Sequence, residues 1–86
     1  MQLRVAVMGG GSWGTTIASM VSRNTSTVLW ARDPATVAEI NDKHTNHRYL
    51  GDARLSARLS ATADLAEAVR NADVIVMGIP SKNLWD

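Results

Sequence analysis

Residues 7–18 read Val7-Met8-Gly9-Gly10-Gly11-Ser12-Trp13-Gly14-Thr15-Thr16-Ile17-Ala18, with four glycines in six positions and a tryptophan set before the last of them. Upstream, residues 3–8 form a short valine-rich apolar run, the pattern of a strand covered on both faces in a parallel sheet. Downstream, Trp13, Ile17, Met20 and Val21 recur at three- and four-residue steps, which predicts a helix over 12–23 with that stripe turned to the core. A glycine-rich bend between the two brings bare backbone to a helix N-terminus, where unpaired N–H groups and the helix dipole favour an anion.

Working outward, residues 24–26 are a polar turn and 27–31 a second buried strand. Asp33 followed by Pro34 reads as a helix N-cap with proline at the first helical position, opening a short helix to about Lys43 with Val37 and Ile40 on one face. Residues 44–56 show no period, and Gly51-Asp52 suggests a turn. A brief third strand is expected over 59–61. Asp64, with Glu67 three residues on, starts a helix ending near Asn71. A fourth strand follows over 73–79, with Asp73 capping its start, and residues 82–86 could begin another helix. The order β-α-β-α-β-α-β predicts a Rossmann-type α/β fold: a parallel sheet of about four strands with right-handed crossovers, the first half of a dinucleotide-binding domain.

In that setting Gly9, Gly11 and Gly14 match G-x-G-x-x-G. Gly9 allows the tight turn, Gly11 the approach of a pyrophosphate, and Gly14 close packing of helix on strand. The motif alone occurs by chance; a preceding strand, a helix opened by the motif and a second strand downstream are the conditions that give it meaning. The position after the second strand selects the cofactor, an acid for the ribose hydroxyls of NAD or an arginine for the 2′-phosphate of NADP. Arg32 and Asp33 stand there side by side. Asp33 has a competing role as helix cap and Arg32 as a solvated surface charge, and the pair tilts the expectation toward NADP, with NAD the alternative. Ser12 offers its hydroxyl and N–H to phosphate or else caps the helix. Trp13 lies against the cofactor or packs in the core.

The remaining polar residues carry less. His44 and His47 have no third ligand at metal spacing, so they are expected to be solvated and no metal site is assigned. Lys82 is expected on the surface. No paired acid and base is visible in the 86 residues, and no catalytic residue is assigned.

Composition narrows the class. The chain is 45% hydrophobic and 20% charged, with a net charge of +1 and its nine Lys and Arg scattered. That distribution lacks the concentrated positive field of a nucleic-acid binder. With no cysteine, disulfides and thiolate metal sites are excluded. The longest apolar runs fall far below the roughly 18 residues a spanning helix needs. The start shows no signal-peptide pattern, so the expected location is the cytoplasm, away from membranes and nucleic acid.

The segments "GGGSWGTTIA", "VLWAR", "HTNHRYL", "SATADLAEAV" and "ADVIVMGIPS" occur in an order that resembles NAD(P)-dependent glycerol-3-phosphate dehydrogenase. The particular features are Trp13 inside the glycine motif, Trp30 with Arg32, and Asn46-x-Arg48-Tyr49-Leu50. Gly10, the "NTST" turn and Gly51 depart from the family pattern. The resemblance implies reduction of dihydroxyacetone phosphate to sn-glycerol 3-phosphate with NADPH or NADH, supplying glycerophospholipid synthesis. It also implies that Ser12, Trp13 and Arg32 contact the dinucleotide, with Tyr49 near the adenosine side and Pro80 and Ser81 at the nicotinamide pocket. Family members are much longer, so residues 1–86 are expected to be a partial dinucleotide-binding domain. The catalytic and substrate domain would then lie beyond Asp86, with a small phosphorylated substrate and a homodimer only in the full-length form. Alone, the chain would have an open sheet edge, low stability and no turnover. Two alternatives stay open on the residues: a related dehydrogenase (ketopantoate reductase, nucleotide-sugar or hydroxyacyl-CoA dehydrogenase) and a non-catalytic dinucleotide-binding module.

Overall fold

Valine-rich runs separated by helix-forming segments fold here as expected, into a parallel sheet wrapped on both faces. The computed structural model describes residues 3–9 and 11–77. In chain order the elements are β1 (Arg4–Met8), α1 (Ser12–Ser22), β2 (Ser26–Trp30), α2 (Pro34–Lys43), α3 (His47–Leu50), β3 (Ser60–Thr62), α4 (Leu65–Arg70) and β4 (Val74–Met77). The end of the expected fourth strand, Pro80, Ser81 and the helix expected after Lys82 lie outside the described residues.

The sheet order is β3-β2-β1-β4 and every pairing is parallel. Two successive crossovers move outward from β1 to β2 to β3; the third returns past both to the far side of β1. With right-handed crossovers that reversal sends the last helix to the opposite face of the sheet. The packing agrees. Val5 and Val7 join Ala18 of α1, Leu29, and Ile40 of α2 in one cluster, closed by Leu55 and Leu59. Ala6 and Met8 face the other way, against Ala68 of α4. Alternate residues of β1 therefore serve two cores, which is why its sequence is apolar without alternation.

The buried face of α1 corrects the expected stripe. Trp13 and Met20 are 54% and 57% exposed, whereas Gly14, Thr15, Ala18, Ser19 and Ser22 are buried. The helical period is right but its phase is not: small side chains face the sheet because the helix lies close to it, and the bulky residues are displaced to the rim. The hydroxyls buried in this way find partners. Ser22 Oγ donates to the Ser19 carbonyl at 2.8 Å, and Ser19 Oγ accepts the Ser56 N–H at 2.8 Å.

Both outer strands of the described sheet are managed differently. On β3, the side-chain amide of Asn41 in α2 donates to the Ala61 carbonyl (3.0 Å) and accepts from the Ala61 N–H (2.8 Å), taking the place of a neighbouring strand. On β4, Val74, Ile75 and Met77 are exposed. Asp73 does open that strand as expected: its carboxylate accepts the Arg4 N–H at 2.9 Å and its own N–H donates to the Arg4 carbonyl at 2.7 Å.

The segment expected to be irregular contains the four-residue α3, with Gly51 at φ 60 closing it into the anticipated turn. Ahead of α3, Asn46 is fully buried. No described helix is long and apolar enough to cross a membrane.

Candidate functional site

Because all strands run the same way, the bend after β1 and the segment after β2 open at one edge of the sheet. Gly9 leaves β1 at φ 115, a conformation L side chains rarely adopt. Its N–H still reaches the Trp30 carbonyl at 2.9 Å, so the ladder persists one residue beyond the strand before the chain turns into the helix.

Gly11 is the N-cap of α1, and no side chain caps the helix; the hydroxyl of Ser12 does not take that part. The Thr15 N–H donates to the Gly11 carbonyl at 2.9 Å, which leaves the N–H groups of Ser12, Trp13 and Gly14 without partners inside the helix. A Cβ built on Gly11 meets nothing within 4 Å. The uncapped N-terminus thus faces open space, and only a missing side chain keeps that space clear.

This space belongs to an open cleft of about 390 Å³ lined by Gly11, Ala31, Arg32, Asp33, Thr36, Arg48 and Tyr49. Four of the sequence-selected residues, Gly11, Arg32, Asp33 and Tyr49, arrive there from three separate parts of the chain. Gly9, Ser12, Trp13 and Gly14 stand in the bend and first turn beside it without lining its walls: Ser12 and Trp13 are exposed and Gly14 is buried. Asp33 fulfils its structural role, accepting the Ala35 N–H at 2.9 Å as N-cap of α2, with Pro34 next. A comparable depression at the opposite ends of the strands, lined among others by Arg4, Ser26 and Asn71, holds none of the candidate residues.

Sequence reasoning missed what holds the far wall. Arg48 and Tyr49 sit on α3, whose four residues form too short a helix to persist alone. Two anchors fix it. Asn46 Nδ2 donates to Thr15 Oγ1 of α1 at 3.1 Å in the interior. Glu39 of α2 gathers three donors on one oxygen: the Thr45 hydroxyl at 2.7 Å, the His47 N–H at 2.8 Å and His47 Nδ1 at 2.5 Å. The other ring nitrogen of His47 meets Asp52 Oδ1 at 3.0 Å. His47 is therefore exposed yet fully engaged, not simply solvated as expected, and His44 is half-buried as the left-handed C-cap of α2.

The electrostatics follow. The Thr45 hydroxyl, then the His47 N–H and ring, hold the Glu39 carboxyl down to about 2. The hydrogen bond to Glu39 is the main cause raising the His47 pKa, with Asp52 adding to it and desolvation opposing. Among the described residues, no group of three His, Cys, Asp or Glu is placed to hold a metal ion.

Taken together, the cleft offers two guanidinium side chains, an uncapped helix N-terminus and an aromatic ring. Such a surface suits an elongated ligand that carries phosphate and a flat ring system.

Comparison with known proteins gives a consistent result. The family model described as the N-terminus of NAD-dependent glycerol-3-phosphate dehydrogenase matches residues 4–86. Glycerol-3-phosphate dehydrogenase (NAD(P)+) 2 of Sphingopyxis alaskensis is 54% identical over 81 residues, covering 94% of this chain and 24% of that protein. Glycerol-3-phosphate dehydrogenase (NAD(P)+) 1 of Mycobacterium tuberculosis is 54% identical over 79 residues, 91% of this chain and 23% of the relative. Among solved structures, the glycerol-3-phosphate dehydrogenase of Saccharomyces cerevisiae superposes with a TM-score of 0.85 at 31% identity, covering 95% of this chain and 27% of that one. The chain thus spans about a quarter of the length of the curated relatives it matches.

Proposed function

Since the chain belongs to the family of NAD-dependent glycerol-3-phosphate dehydrogenase N-termini, we propose that it is the cofactor-binding part of an oxidoreductase. That enzyme reduces dihydroxyacetone phosphate to sn-glycerol 3-phosphate with NADPH or NADH. In this reading residues 1–86 form a partial dinucleotide-binding domain. The small phosphorylated substrate, the catalytic groups, a homodimer contact and a supply role in glycerophospholipid synthesis belong to the full-length protein in the cytoplasm.

The observation that carries the reading is the arrival of Gly11, Arg32, Asp33 and Tyr49 on one cleft at the carboxyl ends of β1 and β2. The order β3-β2-β1-β4 supports it, because ligands of open α/β sheets bind outside the carboxyl ends of strands where the connections reverse. The residues present fit the cofactor: the space that a Cβ on Gly11 would fill is open, and it adjoins N–H groups that the helix leaves unpaired.

When bound, the nicotinamide supplies the hydride. This chain's own residues bind and orient. The backbone around Gly9, Gly11 and Gly14 takes the pyrophosphate, with Ser12 adding its hydroxyl. Trp13, exposed on the first turn, shields the bridge from water. Arg32 and Asp33 meet the adenosine ribose, and Tyr49 covers the adenine side. Pro80 and Ser81 are assigned to the nicotinamide wall from the resemblance alone.

The test follows NADPH absorbance in the full polypeptide that carries this sequence. Oxidation that depends on dihydroxyacetone phosphate is the expected result. Binding of NADPH with oxidation driven by a different carbonyl compound would move the substrate elsewhere, and no dinucleotide binding at all would remove the whole reading.

A further inference from the structure

Arg32 and Arg48 line the same cleft but come from different elements, Arg32 from the segment after β2 and Arg48 from α3. Neither guanidinium is ion-paired with a carboxylate among the described residues. The carboxylate that shares the cleft, Asp33, accepts the Ala35 N–H as helix cap. Two cations against one carboxylate, and no ion pair between them, leave the lining of this opening with an excess of positive charge in the free protein, which costs Coulomb energy. That cost is recovered when a group carrying two negative charges enters, and planar guanidiniums can each meet a phosphate monoester with paired N–H donors.

Arg48 is also placed with little freedom. The residue before it, His47, is tied to Glu39 and Asp52, and Asn46 is buried against Thr15. Its guanidinium carbon lies 5.5 Å from the centroid of the Tyr49 ring, a stacking distance that orients the planar group. The backbone is held, and the side chain is left for a ligand.

We propose that Arg48 is a second cofactor-selecting residue, completing with Arg32 a two-guanidinium receptor for the 2′-phosphate of NADP. This rests on the dinucleotide reading above and deepens it. It assigns discrimination between NADP and NAD to α3 as well as to the end of β2.

The test uses the full polypeptide and two probes that differ only in the group at issue, adenosine 2′,5′-bisphosphate and adenosine 5′-monophosphate, titrated by calorimetry. The unaltered protein is expected to prefer the bisphosphate. Arg48→Gln is expected to weaken bisphosphate binding by roughly tenfold to a hundredfold, the loss of a charge-assisted contact, while leaving the monophosphate unchanged. Arg48→Lys, which keeps the charge but not the fork, is expected to fall between. Arg54→Gln, which removes a cation that does not line the cleft, is expected to leave the ratio alone. The proposal is overturned if Arg48→Gln affects both probes equally or neither, or if Arg54→Gln lowers the ratio as much. Equal binding of both probes by the unaltered protein would also overturn it while leaving the dinucleotide reading intact. Binding of neither probe would remove that reading too.

Discussion

Asn46 donates its side-chain amide to Thr15 Oγ1 at 3.1 Å, and both residues are fully buried. This bond joins the helix that begins at the glycine bend to the short helix carrying Arg48 and Tyr49. The two walls of the cleft are thereby made parts of one packed unit, although β2 and α2 lie between them in the chain.

Breaking that link should therefore act on stability and on binding together. Asn46→Ala removes a buried hydrogen bond to Thr15 and opens a small void, with an expected loss of about 1–3 kcal/mol in urea unfolding. It should also weaken NADPH binding, because α3 is no longer held against α1. Normal binding in a destabilised Asn46→Ala protein would show that the anchor and the cleft are independent.

Two glycines of the bend should respond in opposite ways. Gly9→Ala forces a Cβ onto backbone at φ 115, with an expected stability loss of about 1–3 kcal/mol. Gly11→Ala has free space around the new carbon, so the fold should lose less than about 1 kcal/mol. Its dinucleotide affinity should nevertheless fall at least about tenfold, the methyl standing where phosphate approaches. Melting curves set beside calorimetric titrations separate the two effects.

The clamp on α3 should be pH-dependent with a defined sign. The Glu39 pKa is lowered from 4.5 to about 2, so its contribution is complete above 4.5 and disappears as pH falls through about 2. The His47 pKa is raised above 6.5, so its contribution is complete below 6.5 and is lost as pH rises through the folded value. The stability difference between the unaltered protein and His47→Ala should then be greatest between about pH 4.5 and 6.5 and shrink on the alkaline side. Urea midpoints measured across that range check it, and a difference that grew with pH would contradict the assignment.

Asn41 is expected to matter to the sheet and not to the cleft. Asn41→Ala strips both hydrogen bonds from Ala61 on the outer strand, with an expected cost of about 1–3 kcal/mol and faster amide exchange at Ala61. The affinity for NADPH should stay within about twofold, since Asn41 does not line the cleft. A large binding defect would link the edge of β3 to the site in a way the contacts do not suggest.

Much of this protein follows from local chemistry written along the chain. The four strands, the helices capped by Asp33 and Asp64, the turn at Gly51 and the glycine bend were all legible, because each depends on a residue's own backbone preferences or on a period within a few neighbours. The family was legible as well, from Trp13, Trp30 and the segment around Arg48 and Tyr49.

Tertiary structure decided what local pattern leaves open. Hydrophobic spacing put Met20 on the core stripe and left Trp13 between core and cofactor, yet the close approach of α1 to the sheet selects for size, and Gly14, Ala18 and Ser19 are the buried residues. No periodicity can mark the four-residue α3, which is held through His47 by Glu39 and Asp52 and, through Asn46 just ahead of it, by Thr15 of α1. The meeting of Arg48 with Arg32 on one cleft depends on that docking. A contact between residues far apart in sequence is a property of the packed whole, and the neighbours of Arg48 in the chain carry no record of it.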